Sequence, residues 1–334
     1  KIKIKMKKIL ILGSNSFAGA CFVNYSLIKK NCVFGVSRSN EKREYERTYS
    51  GNPNIEKFNF IKADINKNLK LIKNLIIKEK FNYIVDFLGQ GMVAESWENP
   101  EQWFETNVLS KLKLINFLKD KKFLKKYIRI STPEVYGSSP KKLKEDSLQN
   151  PSTPYAITHM TIDQYLKLMS LRYKFPIIIM RFSNFYGKTQ PLYRIIPKTI
   201  ITILNKKKLP LHGNGKSLRS FIHHEDFCNA IYLGLLKGKK GEIYNISSNE
   251  IISIKKLIQK ISKKMQYNFS KLVTIKKERP GKDHKYFMSA SKAKKELNWK
   301  NNISLDAGIN DTIKWYIDNY KNYKNKKLDY IHKK

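Results

Sequence analysis

Apolar residues along this chain fall into short unbroken runs, separated by stretches whose apolar positions recur with helical spacing. Lys8–Leu12, Cys32–Val36, Phe58–Lys62, Tyr83–Leu88, Tyr127–Ser131 and Pro176–Arg181 are predicted strands. None of them alternates apolar with polar, so each is expected to be covered on both faces. Between them, Phe17–Ile28, Leu69–Lys78, Trp103–Leu118 and Tyr155–Tyr173 read as helices. Leu109, Leu112, Ile115 and Leu118 carry the spacing of the third, and the fourth is entered through Pro151 and Pro154. Strand and helix alternate, which predicts an α/β fold with a doubly wound parallel sheet.

The pattern changes after Asn184, where turn residues, prolines and charges become denser up to Arg219. Phe221–Leu236 then reads as strand and helix and Glu242–Ile246 as a short strand. From Ile251 onward two amphipathic helices flank an extended segment, Leu272–Lys276. The expected organisation is one large lobe, residues 6–183 with about 220–248. A smaller lobe, about 184–219 with 249–320, is interleaved into it. Residues 321–334 are expected to form a frayed, lysine-rich tail, and Met6 is a candidate natural start.

The 334 residues carry 66 Lys and Arg against 27 Asp and Glu, a formal net charge of +39. Such a field suits a nucleic acid or an anionic small substrate, or reflects compositional drift. The lysines are spread along the whole chain and arginine is scarce beside them, which favours drift over a nucleic-acid partner. Cys21, Cys32 and Cys228 are isolated, without metal-like or redox-like spacing, as expected of reduced thiols in a cytoplasmic protein. The run Ile9–Leu12 is too short for a signal core, and no stretch reads as a membrane span.

Candidate chemistry begins at Gly13-Ser-Asn-Ser-Phe-Ala-Gly19, between the first strand and the first helix. A dinucleotide-binding turn needs small residues at the strand end, at the approach of the pyrophosphate and at the helix–strand contact. Gly13 and Gly19 fill the first and last. Ser16 takes the middle place, with a hydroxyl placed to bond a phosphate oxygen beside the helix N-terminus. This makes the fold Rossmann-type. It assigns Asn15, Phe17 and Ala18 to the cofactor turn, Ser37 and Arg38 to the ribose, Asp64 and Ile65 to the adenine. Leu88, Gly89 and Asn107 are assigned to the crevice beyond the fourth strand. No carboxylate follows the second strand before Glu41, and Arg38 pairs naturally with a 2′-phosphate. NADP is therefore favoured slightly over NAD.

The fifth strand ends in Ser131-Thr-Pro-Glu-Val-Tyr-Gly137, and the long helix begins Tyr155-Ala-Ile-Thr-His159. Asn99-Pro100 with Glu105-Thr-Asn107, Arg181-Phe-Ser-Asn184-Phe-Tyr-Gly187 and Arg219-Ser-Phe-Ile-His-His-Glu-Asp226 follow in order, then Tyr244-Asn-Ile246, Arg279-Pro-Gly-Lys-Asp283 with Tyr286, and Glu296-Leu-Asn-Trp299. With these motifs the chain, from about Met6 to Trp299, resembles the extended short-chain dehydrogenase/reductases. Within them it is similar to the nucleotide-sugar 4,6-dehydratases, typified by dTDP-glucose 4,6-dehydratase.

The resemblance implies that Tyr155 takes the proton of the sugar C4 hydroxyl while hydride goes to the nicotinamide. Thr132 bonds the same oxygen, and Glu134 removes the C5 proton so that water leaves C6. It further implies that Arg219 and Arg279 clamp the nucleotide diphosphate, that Asn184 contacts sugar or diphosphate, and that the chain is a homodimer. Two positions depart from the family. Pro133 replaces an aspartate thought to protonate the leaving hydroxyl, leaving both tasks to Glu134. His159 replaces the lysine four residues after the tyrosine, and a histidine is mostly uncharged at neutral pH. Consecutive His223 and His224 point in different directions, so no metal site is predicted. A UDP-glucuronate decarboxylase, a sugar 4-epimerase and a catalytically impaired cofactor-binding protein are the alternative readings.

Overall fold

In the computed structural model, which describes residues 6–277 and 285–332, every predicted strand forms. In chain order they are β1 (Lys8–Leu12), β2 (Cys32–Ser37), β3 (Phe58–Lys62), β4 (Tyr83–Asp86), β5 (Lys126–Ser131), β6 (Lys142–Leu143), β7 (Ile177–Phe182), β8 (Asn184–Tyr186), β9 (Leu209–His212), β10 (Leu218–His223), β11 (Ile243–Ile246), β12 (Ile251–Ser253), β13 (Val273–Lys276) and β14 (Phe287–Met288). Seven of them make one parallel sheet in the order β11-β7-β5-β4-β1-β2-β3. Side chains alternate across it, so Ile9 and Ile11 enter one core with Phe17–Ile28 and His224–Lys237. Leu10 and Leu12 enter the other, with Leu69–Glu79, Ser110–Leu118 and Pro154–Tyr173. Coverage on both faces is why the strands read as continuous apolar runs. The strand order reverses beside β1, between β2 and β4, which opens the crevice where α/β sheets bind ligands.

After Phe182 the chain leaves this sheet. It forms a three-stranded sheet, β12-β10-β8, and the pair β13-β9 around a third core. That core is filled by Ile195–Leu204, Ile254–Lys264 and Leu305–Asp318. The helix His224–Lys237 and β11 return to the main sheet. β10, read as part of the large lobe, instead pairs with β8 and β12.

The C-terminal segment is not a frayed tail. Tyr323 is buried among Tyr45, Trp315 and Tyr316. Lys326 pairs with Glu46 at 2.6 Å and Asp329 with Lys198 at 2.7 Å, and His332 bonds Gln102 at 2.8 Å. Scattered aromatic and acidic anchors hold a segment whose composition alone reads as solvated.

Candidate active site

The turn after β1 brings backbone to backbone. Gly13 has φ +84°, and a Cβ there would stand 3.0 Å from the carbonyl carbon of Phe87. A Cβ on Gly19 would overlap the Gly13 carbonyl oxygen. Only glycine lets the helix start directly off the strand end, aiming its first N–H groups at the crevice. The Ser16 hydroxyl caps this helix, donating to the Gly13 carbonyl at 2.7 Å and accepting from the Gly19 N–H at 2.9 Å. These two bonds fix the start of the helix. Phe17 is buried and stacks on Phe185, and Ala18 is half-buried beside it.

Asn15 ties the turn to the end of β2. Its N–H donates to Ser37 Oγ at 2.9 Å and its amide to the Asn40 carbonyl at 2.8 Å. Arg38 follows, exposed. Glu41 is committed elsewhere, accepting from the Tyr49 hydroxyl at 2.8 Å and pairing with Arg47 at 3.0 Å. After β3, Asp64 is half-buried and accepts from the Asn66 N–H at 2.8 Å, while Ile65 is buried in the core. Beyond β4, the Leu88 N–H donates to Asp86 Oδ1 at 2.9 Å. A Cβ on Gly89 would press on Asn107 Oδ1 at 2.9 Å. The buried Asn107 amide accepts from the Gln90 N–H at 2.8 Å and donates to Thr158 Oγ1 at 3.1 Å. It pins the Gly89 loop to the long helix.

At the end of β5, Pro133 opens the short 3-10 turn Pro133–Tyr136, a position where its missing N–H costs nothing. Thr132 Oγ1 accepts from the Glu134 N–H at 3.3 Å, which leaves its hydroxyl proton to donate. Thr153 caps the long helix, accepting from the Ala156 N–H at 3.1 Å, and so sets Tyr155 in the first turn. The Tyr155 N–H donates to Ser96 Oγ at 3.2 Å. The Tyr155 phenol is hydrogen-bonded with Thr132 and lies near Glu134 and Arg194. Burial pushes it up to about 12, helped by the Glu134 charge and opposed by Thr132, Arg194 and Arg129. One turn on, the His159 ring lies 4.4 Å from the Tyr155 ring. Burial, then the charges of Arg129 and Lys111, hold the imidazole well below its ordinary pKa, so it is neutral at pH 7. Thr132, Glu134, Tyr155 and His159 thus meet at one place.

Beneath them lies a group of charges that sequence reading passed over. Lys111 Nζ donates to Asp86 Oδ2 at 2.7 Å and to the Leu88 carbonyl at 2.6 Å. Arg129 lies 3.7 Å from both Asp86 and Asp163, and Arg181 lies 3.4 Å from Asp163. All five side chains are almost wholly buried. Burial, then the Arg129 charge, brings the Lys111 ammonium down to about 7. The signal available was a charged residue inside an apolar strand, Arg129 between Ile128 and Ile130, which demands buried partners.

On the substrate side, Asn184 opens β8, half-buried. Arg219 is buried in β10, its guanidinium 4.5 Å over the Tyr286 ring, with Nη1 donating to the Leu218 carbonyl at 2.8 Å. Arg279 lies outside the described residues. His223 and His224 meet at 4.2 Å between ring centres, where β10 passes into its helix.

Residues 10–312 match the family model for GDP-mannose 4,6 dehydratase. The chain belongs to that family. It is 33% identical over 278 residues to the dTDP-D-glucose 4,6-dehydratase of Homo sapiens, a match covering 81% of this chain and 79% of the human one. Among solved structures it resembles DesIV, the dTDP-glucose 4,6-dehydratase of Streptomyces venezuelae with NAD bound. There the TM-score is 0.87 at 25% identity, over 94% of this chain and 98% of that one. A UDP-glucuronic acid 4-epimerase of Bacillus cereus, also solved with NAD, matches with a TM-score of 0.83 at 25% identity, over 94% and 100%. The GDP-mannose 4,6 dehydratase family thus shares its Rossmann-type frame with epimerases, and the residues at the strand ends must separate the activities.

Proposed function

We propose that this chain is a lyase that converts a nucleotide-diphosphate sugar to its 4-keto-6-deoxy product, with dTDP-glucose the first candidate from the names of its relatives. The observation that carries this is the convergence of Thr132, Glu134 and Tyr155. Thr132 and Tyr155 are within hydrogen-bonding reach of each other, and Glu134 stands near enough to supply a carboxylate for an adjacent C–H. An epimerase has no use for that carboxylate. Tyr155 takes the C4 hydroxyl proton, Thr132 orients the same oxygen, and Glu134 removes the proton at C5. Pro133 has no proton to give, so Glu134 also serves the leaving hydroxyl.

The residues fit a nicotinamide dinucleotide. The glycine turn, a twelve-residue helix aimed by its N-terminus at the strand-order reversal, and the edges of β2 and β3 supply its phosphate, ribose and adenine sides. When bound, it accepts a hydride, returns it, and in its oxidised form adds a positive charge. We favour NADP over NAD, because Arg38 follows β2 while Glu41 is held by Tyr49 and Arg47. Arg219, Asn184 and Arg279 are assigned to the nucleotide-diphosphate sugar.

The helices flanking Tyr155 expose Phe104, Leu109, Ile157, Leu168 and Leu171, which supports a homodimer through them. The decisive test is incubation with a panel of nucleotide-sugars, followed by mass spectrometry. Loss of one water, abolished in Tyr155→Phe, is the expected outcome. Loss of carbon dioxide, or an epimer of unchanged mass, would replace this reading with a decarboxylase or an epimerase.

A further inference from the structure

We propose that Arg129 is a positioning residue of this site. It fixes the tautomer of His159, the ring packed against Tyr155, and with Arg194 it adds positive charge near the tyrosine. The inference rests on the reading of Tyr155 as the base.

The geometry separates this role from simple neutralisation of buried acids. Arg129 stands between Asp86 on β4 and Asp163 on the long helix, yet neither is closer than 3.7 Å. Its Nε and Asp163 Oδ1 make no hydrogen bond among the described residues. The short contact goes instead to the imidazole: Nη2 donates to His159 Nδ1 at 2.9 Å. A guanidinium only donates, so Nδ1 must accept and the ring proton resides on Nε2. His159 is then locked as a neutral Nε2–H donor.

Nor do the acids require Arg129 for balance. Lys111 already holds Asp86 at 2.7 Å, and Arg181 lies 3.4 Å from Asp163. The buried group therefore sets three basic side chains against two acids, each acid already paired without Arg129. The groups facing Tyr155 are Thr132 and Glu134 from the turn after β5, Arg194 from the start of Ile195–Leu204, Arg129 from β5, Ser96 from Glu95–Glu98 and His159 from its own helix. Those facing His159 are Arg129 and Lys111. Arg129 is the cation common to both sets.

The test uses Arg129→Met and Arg129→Lys in the full-length protein. Arg129→Met leaves Lys111 on Asp86 and Arg181 beside Asp163, so the variant is expected to fold. Nitrogen-15 NMR of labelled histidines is expected to find His159 neutral, with its proton on Nε2 from pH 5 to 8, in the unaltered protein. In Arg129→Met that tautomer preference is expected to be lost. The pH profile of kcat is expected to move alkaline by less than about one unit in Arg129→Met, a loss of about twofold to threefold at pH 7. Arg129→Lys recovers most of it. A wild-type His159 that carries its proton on Nδ1 or titrates between pH 5 and 8 overturns the proposal. So does an Arg129→Met variant with lowered Tm but unchanged tautomer and pH profile. If the unaltered protein turns over no sugar while the NMR result holds, the dehydratase reading fails and the Arg129–His159 assignment stands.

Discussion

At the scale of single residues, the site sets a tyrosine that is hard to ionise beside a histidine that has no charge to lend. In the proposed reaction Tyr155 acts as the phenolate, and its pKa stands at about 12, raised first by burial and then by Glu134. Activity should therefore climb as pH rises. Restoring a lysine at position 159 looks from the sequence like a simple repair. The structure argues otherwise, because the new ammonium would sit where Arg129 now donates and within reach of the Lys111 charge. Like charges and burial both drive such a lysine toward its neutral form. His159→Lys alone is expected to gain nothing at pH 7 and to lose about 1–3 kcal/mol in urea unfolding, the cost of a poorly satisfied buried group. Paired with Arg129→Met, the loss should be largely relieved, a non-additivity that a double-mutant cycle measures. Independent, additive effects would count against direct coupling. Thr132, Glu134 and Tyr155 were legible because their order along the chain is a motif. Arg129 was not, since its meaning depends on three partners, Asp86, His159 and Asp163, that lie far apart in the chain.

At the scale of elements, the sheet was legible because parallel strands buried on both faces leave an unmistakable apolar run, and the boundaries moved by only a residue or two. The helix region Trp103–Leu118 was harder. Its apolar spacing put Leu109 and Leu112 on the inner face. Leu109 is in fact 52% exposed, while Leu112, Ile115 and Leu118 pack inward as expected, joined by Asn107, Lys111 and Leu114. The stretch Glu105–Leu109 is π-helical, and the wider turn shifts the buried face. Lys111, a charged residue of the site, was hidden by that shift. The C-terminal segment was illegible for another reason, since its anchors follow no period. Tyr323 is the chief of them, 4% exposed, with its hydroxyl donating to the Tyr45 carbonyl at 3.0 Å. Tyr323→Ala is expected to cost about 3 kcal/mol, as for other large buried aromatics. Guanidinium unfolding would measure it, and a change below about 0.5 kcal/mol would mean that the segment is as loose as its composition suggests.

At the scale of the whole molecule, the net charge of +39 and the bare stripe on the long helix make opposite demands. Ile157, Thr161, Gln164, Leu168 and Leu171 lie three or four residues apart on the exposed face of Pro154–Tyr173. In a chain so rich in lysine this stripe carries no charge at all. Two copies meeting along it would bury apolar surface while their net charges repel, so salt should strengthen the dimer by screening that repulsion. A nucleic-acid complex behaves the other way, weakening steeply as salt displaces it from the phosphates. Sedimentation across a salt series distinguishes the two. The expected result is a dimer that tightens between low and moderate salt, with Leu171→Lys monomeric at every concentration. A monomer throughout, or tight duplex DNA binding lost with salt, would overturn the dimer and make the charge itself the functional surface. The stripe runs along the same helix that carries Tyr155 and His159. A monomeric Leu171→Lys that keeps its Tm but loses turnover would therefore show that the partner steadies the helix on which the proposed base, Tyr155, rides.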